Sequence, residues 1–223
     1  MEKGDFVTIE FTGRIAHSGE LFDLTSAEEA KKHNIYNPKH KYGPVLVIVG
    51  AHMVVPGLEQ QLEEMKSGEE RTFTLKPEDA FGKRDVRLIK IFSLAKFTKE
   101  KINPAPGMFV EINHTKAKIQ SVSGGRVRVD FNHPLAGKEV SYTVKIVKQL
   151  TVPQEKLTAL LDYYGLASTA VVKEHIAEIT TKHKLDDGLK KLLTETIQKW
   201  IPSIKKVSFP VEVPVEKSGA SKT

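Results

Sequence analysis

The sequence predicts an α+β fold in which an antiparallel sheet curls over one short helix. Three observations carry that prediction. Segments with period-two alternation, such as 5–11, 70–75 and 139–147, recur through the first two thirds of the chain. Among them stands a single helical stripe of Leu58, Gln61, Leu62 and Met65, and beyond residue 153 the pattern turns to longer amphipathic helices. A lone short helix cannot bury its stripe by itself, so the sheet must wrap it, and their contact line is where an apolar hollow would form.

The elements follow in order. Residues 1–15 read as a first strand, and the turn His17-Ser18-Gly19-Glu20 folds Leu21-Phe22-Asp23 back as a hairpin. Ser26 lies three positions before Glu29, a capping-box spacing, and opens a short surface helix over 26–35. Asn37-Pro38 and Gly43-Pro44 bracket a loop leading into Val45-Leu46-Val47-Ile48-Val49, a continuous apolar run that reads as a buried strand. The central helix is expected between Pro56-Gly57 and Gly68, and Glu70 to Leu75 as an alternating strand. Pro77 to Asp85 is a polar turn carrying one aromatic, Phe81. From Val86 to Asp130 the texture changes to a strand over 87–92, a helical piece over 94–97, a stop at Asn103-Pro104-Ala105-Pro106-Gly107, and two or three strands around Gly124-Gly125. After the turn 132–138, the strand over 139–147 must complete the first sheet.

Past Pro153, Leu157, Leu160, Leu161 and Tyr164 keep one helical face, as do Leu189, Leu192, Leu193, Ile197 and Trp200. Residues 169–181 fit either helix or strand and are read here as helix, because Val172, Ile176 and Ile179 share a helical face. Lys206 to Pro214 alternates and reads as an edge strand, its prolines removing ladder donors, and the tail from Glu216 should fray. The expected domains are therefore 1–83 with 131–151, an inserted β-rich domain over 84–130, and a C-terminal mixed, mainly helical domain over 152–223.

Composition narrows the chemistry. The chain has 223 residues, enough for real cores, and no cysteine, which excludes a disulfide scaffold, thiolate catalysis and Cys-ligated zinc. Eight histidines show no i, i+4 pair and no Glu-flanked helical motif, so no metal is expected. Neither a phosphate-binding glycine loop nor a Ser/His/Asp signature occurs. A signal-peptide order and a membrane-length apolar run are both missing, so a cytoplasmic location and no membrane partner are expected. Between Arg84 and Asp130 ten Lys/Arg face four acids, yet a dispersed surplus of that size reads as solvated surface, and nucleic acid is not the expected partner.

Five words of the sequence, in order, resemble the FKBP-type peptidyl-prolyl cis/trans isomerases. They are Phe11-Thr12-Gly13, Leu21-Phe22-Asp23, Val54-Val55-Pro56-Gly57-Leu58-Glu59, Asp79-Ala80-Phe81-Gly82 and Tyr142-Thr143-Val144-Lys145-Ile146. The block before Asn132-His133-Pro134-Leu135-Ala136-Gly137 is similar to the SlyD-like subgroup with an insert-in-flap domain, and with its tail the chain resembles the long archaeal members. The resemblance implies an FKBP-like half-barrel, a cofactor-free isomerase, and as partners unfolded or nascent polypeptides containing X-Pro bonds. Rotation about such a bond must lose amide resonance, a barrier of about 18–20 kcal/mol. The twisted amide carries less charge separation than the planar one, so a water-poor aromatic pocket favours it without any covalent step.

By resemblance the catalytic residues are Phe22, Asp23, Val55, Phe81 and Tyr142, with Phe11, Val45, Val54 and Leu58 as further pocket residues. Leu58 would be the floor, Phe22 and Tyr142 the walls, the Val55 N–H a donor to a substrate carbonyl, and Asp23 would face the twisting carbonyl. Phe81 and Phe11 stand where many members have tyrosine. A lost hydroxyl of that kind is worth about 0.5–1.5 kcal/mol for carbonyl-bearing ligands, so inhibitor affinity is expected to fall while the apolar mechanism survives. The insert implies capture of unfolded chains through exposed apolar residues, with Ile91, Phe92, Met108 and Phe109 as contacts and Ile89, Leu94, Phe97 and Val110 as further candidates. A homodimer through the C-terminal domain, anchored at Trp200, is a further expectation. The rival reading is a catalytically silent FKBP-like chaperone or a ribosome-associated binding module using the basic insert.

Overall fold

In the computed structural model, which describes residues 1–166, 168–181 and 185–210, the organising strand is β1 (Phe6–Ile15). One of its edges pairs along its full length with β9 (Val140–Leu150), antiparallel. The other edge is shared: β3 (Val45–Ile48) pairs with Phe6 to Ile9, and β2 (Leu21–Leu24) with Thr12 to Arg14. β4 (Glu70–Leu75) closes the far side of β9. α1 (Ala27–Lys32) lies between β2 and β3, its first turn capped by the Ser26 hydroxyl, which accepts from the Glu29 N–H at 3.3 Å.

The sheet wraps α2 (Pro56–Glu64), where Pro56 sits in the first turn and gives up no needed donor. Leu58, Leu62 and Met65 are buried against Val7, Ile9, Val47, Val49, Val144 and Ile146, while Gln61 is only half-buried. The helix ends at Glu64, one turn before the expected stop at Gly68. Met65 is already extended, and Gly68, at φ 81°, instead turns the chain so that its N–H reaches the Ile146 carbonyl.

The insert has its own sheet and its own core. Arg87 and Leu88, expected in a strand, form part of a 3-10 turn, and β5 (Ile89–Ser93) follows. α3 (Leu94–Lys99), β6 (Phe109–Ile112), β7 (Thr115–Ser123) and β8 (Arg126–Asp130) complete it, in the strand order β5-β8-β7-β6. Phe97, Val110, Ile119, Val127 and Val129 form its centre.

The C-terminal region comprises α4 (Pro153–Tyr163), β10 (Ser168–Lys173), β11 (Ile176–Thr181), α5 (Asp187–Trp200) and β12 (Lys206–Ser208). Residues 169–181 are therefore a hairpin and not the expected helix. Ala177, Ile179 and Thr181 are buried in alternation while Ile176 of the supposed helical face is exposed, and Glu174, at φ 52°, makes the turn. Period two wins over period 3.6 because the β-branched residues can pack one face on the helices. β12 is an edge strand, parallel to β11 and shorter than expected; 211–214, the tail from Glu216 and His183 lie outside the described residues.

The C-terminal core is not separate from the first sheet. Phe6, Leu46, Ile48 and Leu150 belong to the same buried cluster as Leu157, Leu160, Ile179, Leu193 and Ile197. β3 is thus covered on both faces, Val47 toward α2 and Leu46 and Ile48 toward the tail. That explains why its sequence is apolar without alternation. Ile48→Ala removes a side chain only 1% exposed at this junction and should lower unfolding free energy by about 2–5 kcal/mol, read by urea denaturation.

Candidate active site

The hollow between the sheet and the start of α2 has a volume of about 430 Å³ and is lined by Phe11, Asp23, Val45, Val54, Val55, Leu58, Phe81 and Tyr142. These are eight of the nine residues that sequence reasoning assigned to the pocket. The ninth, Phe22, stands behind the wall. β2 is bulged so that Gly13 faces Asp23 and Arg14 faces Leu21, leaving Phe22 without a ladder partner. Its ring meets Phe81 edge-on at 5.7 Å and Tyr142 edge-on at 5.6 Å, so it braces both. Gly13 makes this possible: a Cβ there would lie 2.6 Å from the Phe22 ring and 3.1 Å from that of Tyr142. Phe11 completes the aromatic set, 6.0 Å from Tyr142.

Each polar group at the cup has a traceable state. The Val55 N–H, at the N-cap of α2, donates to no acceptor among the described residues, while the Val55 carbonyl accepts from Leu58 and Glu59. The Tyr142 hydroxyl likewise has no partner among them, and since no buried side-chain polar atom is left unsatisfied, it opens to the cup. Burial, followed by the negative charge of Asp23, pushes the Tyr142 phenol up to about 12, so it remains a donor at neutral pH. Asp23 is on the rim. Crowding by the wall raises its carboxyl above the ordinary value, although the Leu24 N–H and the His40 charge pull the other way.

Several supporting residues were given no role in the pocket by the sequence. Glu59, 7% exposed, points back from α2 and accepts from the N–H groups of Gly50 (2.9 Å) and His52 (3.0 Å) and from His52 Nδ1 (2.9 Å). It holds His52 at φ 55°, a conformation non-glycine residues rarely adopt, and so fixes the loop that delivers Val54 and Val55. A charged residue out of phase with the helix stripe yet close to an apolar run was the available signal. His133, read as part of a turn, stacks its ring on Phe81 at 4.7 Å and 3°. Leu46, Val47, His52, Met53 and Tyr163 also line the cup. Tyr163 comes from the far end of the chain, where no local pattern could place it.

The insert separates the remaining candidates. Ile91 (65%), Phe109 (58%) and Met108 (40%) are exposed. Phe92, expected as a free contact, is half-buried, its ring against Phe97 at 6.3 Å and Phe131 at 6.2 Å. Phe97 and Val110 are core, and Ile89 and Leu94 are half-buried; a domain this small needs most of its apolar side chains inside. Among the described residues no group of three or more His, Asp or Glu could hold a metal ion, and no helix is long and apolar enough to cross a membrane.

The folded-state phenol of Tyr142 lies above its unfolded value of about 10, so its proton stabilises the fold fully below that pH. This contribution should be lost as pH rises through about 12. Urea unfolding between pH 9 and 12 should show a steeper loss for the natural protein than for Tyr142→Phe.

Comparison with known proteins agrees with this geometry. The family described as FKBP-type peptidyl-prolyl cis-trans isomerase matches residues 1–98, and the one described as FKBP26, IF domain matches residues 90–135. A short-type peptidyl-prolyl cis-trans isomerase from Methanocaldococcus jannaschii is 36% identical over 146 residues, 66% of this chain and 92% of that protein. The FKBP-type 16 kDa peptidyl-prolyl cis-trans isomerase of Escherichia coli K12 is 33% identical over 58% of this chain and 84% of its own length. The isomerase SlyD of Aeromonas hydrophila is 30% identical over 68% of this chain and 65% of its own. With the bulged aromatic wall, the open Val55 amide and these relatives together, the chain belongs to the FKBP-type peptidyl-prolyl cis-trans isomerase family.

Proposed function

We propose that the isomerase activity of this family member resides in the cup above Leu58, and that the insert sheet holds unfolded chains for it. The observation that carries the first part is the convergence of Phe11, Phe81, Tyr142, Val54, Val55 and Leu58 on one hollow that offers two unspent donors, the Val55 N–H and the Tyr142 hydroxyl. A prolyl ring on Leu58 places its amide among aromatic faces. There the twisted, less polar amide loses less solvation than the planar one. The Val55 N–H fixes a neighbouring carbonyl, and no group need transfer a proton. Asp23 at the rim faces the twisting carbonyl or orients Tyr142.

In a proline-limited refolding assay the intact protein should accelerate the slow phase. Phe81→Ala removes one wall and Asp23→Ala the rim charge, and each should lower kcat/KM by about tenfold, equivalent to roughly 1.4 kcal/mol. No acceleration by the intact protein would instead support a silent chaperone.

Holding of unfolded chains is supported by the outer face of the insert sheet. Ile91 is paired with Arg128, and Phe109 with Lys118, whose ammonium lies 5.6 Å over the Phe109 ring. Exposed apolar groups at the two edges of a basic face suit unfolded, partly acidic segments. Such binding raises the local concentration of X-Pro bonds near the cup. Cytoplasmic, nascent or unfolded polypeptides are the proposed partners. A homodimer through the C-terminal region is a further proposal, with Trp200 now half-buried against that region's own core. Ile91→Asp with Phe109→Ser should leave tetrapeptide turnover within about twofold while suppressing aggregation of a denatured client several-fold less well, measured by light scattering. Steeply salt-dependent RNA binding would favour the ribosome-associated reading.

A further inference from the structure

Tyr163, the last residue of α4 and 53% exposed, lines the cup and also a neighbouring groove of about 430 Å³. His52 and Met53 line both hollows too, so the two adjoin at these three side chains. The groove runs between the loop before Val54 and the helices α4 and α5, and its far wall carries Leu160, Tyr164, Leu192 and Trp200. Leu193 and Ile197 of α5 are fully buried, whereas Leu192 is 49% exposed and Tyr164 38%. These two therefore present apolar surface that the core does not use. Glu195 and Lys199 on the rim are of opposite sign, so the groove does not select a charged ligand.

We propose that this groove is a second subsite of the peptide-binding site, taking the residues that flank the proline on one side of the substrate chain. The occupant is an extended, apolar polypeptide segment, and the proposal rests on the cup being the prolyl site. A chain seated on Leu58 leaves the cup across Met53 and Tyr163 and meets the Leu192 face directly. The C-terminal region then determines which sequences around proline are bound, because it supplies a wall that the half-barrel alone lacks. Tyr163 belongs to both subsites and sets the step between them.

The test uses the full chain, with Leu192→Glu and, separately, Tyr164→Ala, two exposed positions outside the cup. Fluorescently labelled peptides with a central proline are compared: a tetrapeptide, and two longer peptides extended by apolar residues on the amino or on the carboxyl side. One of the longer peptides should lose affinity by about fivefold to tenfold in each variant, as expected for one lost apolar anchor. Its KM should rise with kcat unchanged, while tetrapeptide kcat/KM stays within about twofold of the natural protein. Equal effects on short and long peptides, or no effect on any, overturn the proposal. A changed sedimentation coefficient in the variants also overturns it, since the face would then belong to a second copy. Should the natural protein fail to turn over the tetrapeptide, the isomerase assignment of the cup fails, while the length dependence of peptide binding still decides the groove.

Discussion

The structure depends on one strand being buried twice. β3 turns Val47 toward α2 and Leu46 and Ile48 toward the tail, and nothing about its backbone separates these two tasks. Removing the inner cover would expose Val7, Ile9, Val47 and Val49, and removing the outer cover would expose Phe6, Leu46, Ile48 and Leu150 together. Each would return a large apolar face to water at about 25 cal/mol per Å². The cup lies against this same strand, lined by Val45, Leu46 and Val47 and by the following loop that carries His52, Met53, Val54 and Val55. The position of the cup is thereby tied to two cores at once, and the tail region is part of what holds it.

The proposed role asks little chemistry of the cup. Its walls are aromatic edges braced against one another, and beside the Asp23 carboxyl at the rim it presents two donors, the Val55 N–H and the Tyr142 hydroxyl. Tyr142 keeps its proton because burial and Asp23 both oppose the phenolate. Val55 offers its amide because the first turn of a helix always leaves N–H groups without intrahelical acceptors. Glu59 carries a cost, since a carboxylate is buried, but three hydrogen bonds satisfy it and keep His52 in its unusual conformation. In the proposed reaction, preorganisation of this kind lowers the barrier without a group that must ionise during the turnover.

Much of this was legible in the sequence, and for identifiable reasons. Alternation revealed β1, β4 and β9, and the Leu58 stripe revealed α2, because their periods are local. The pocket residues were legible through the family words. The 169–181 hairpin was not, since Val172, Ile176 and Ile179 share a helical face while the many β-branched residues suit strands, and only the packing of Ala177 and Ile179 decides between them. Phe92 and Val110 could not be sorted into exposed and buried from sequence, because the insert's curvature and the placement of α3 determine which face is covered. Tyr163 was illegible altogether: its presence at the cup follows from a tertiary contact between the first sheet and a helix more than a hundred residues later.

The connection between cup and insert follows the same logic of shared supports. The two strands of chain that enter and leave the insert are clamped together: Asp85 N–H donates to Asn132 Oδ1 at 2.8 Å, Asn132 Nδ2 donates to the Asp85 carbonyl at 2.9 Å, and Arg84 pairs with Asp130. Gly137 N–H reaches back to the Gly82 carbonyl at 2.8 Å, which closes the turn one residue beyond Phe81. His133, from within that turn, stacks on Phe81. The wall of the cup and the root of the insert are therefore built from one set of residues, and a shift in the root must displace either the His133 stack or the Asn132 clamp. The insert is thus rooted beside the wall of the cup through the Asn132 hydrogen bonds and the His133 stack.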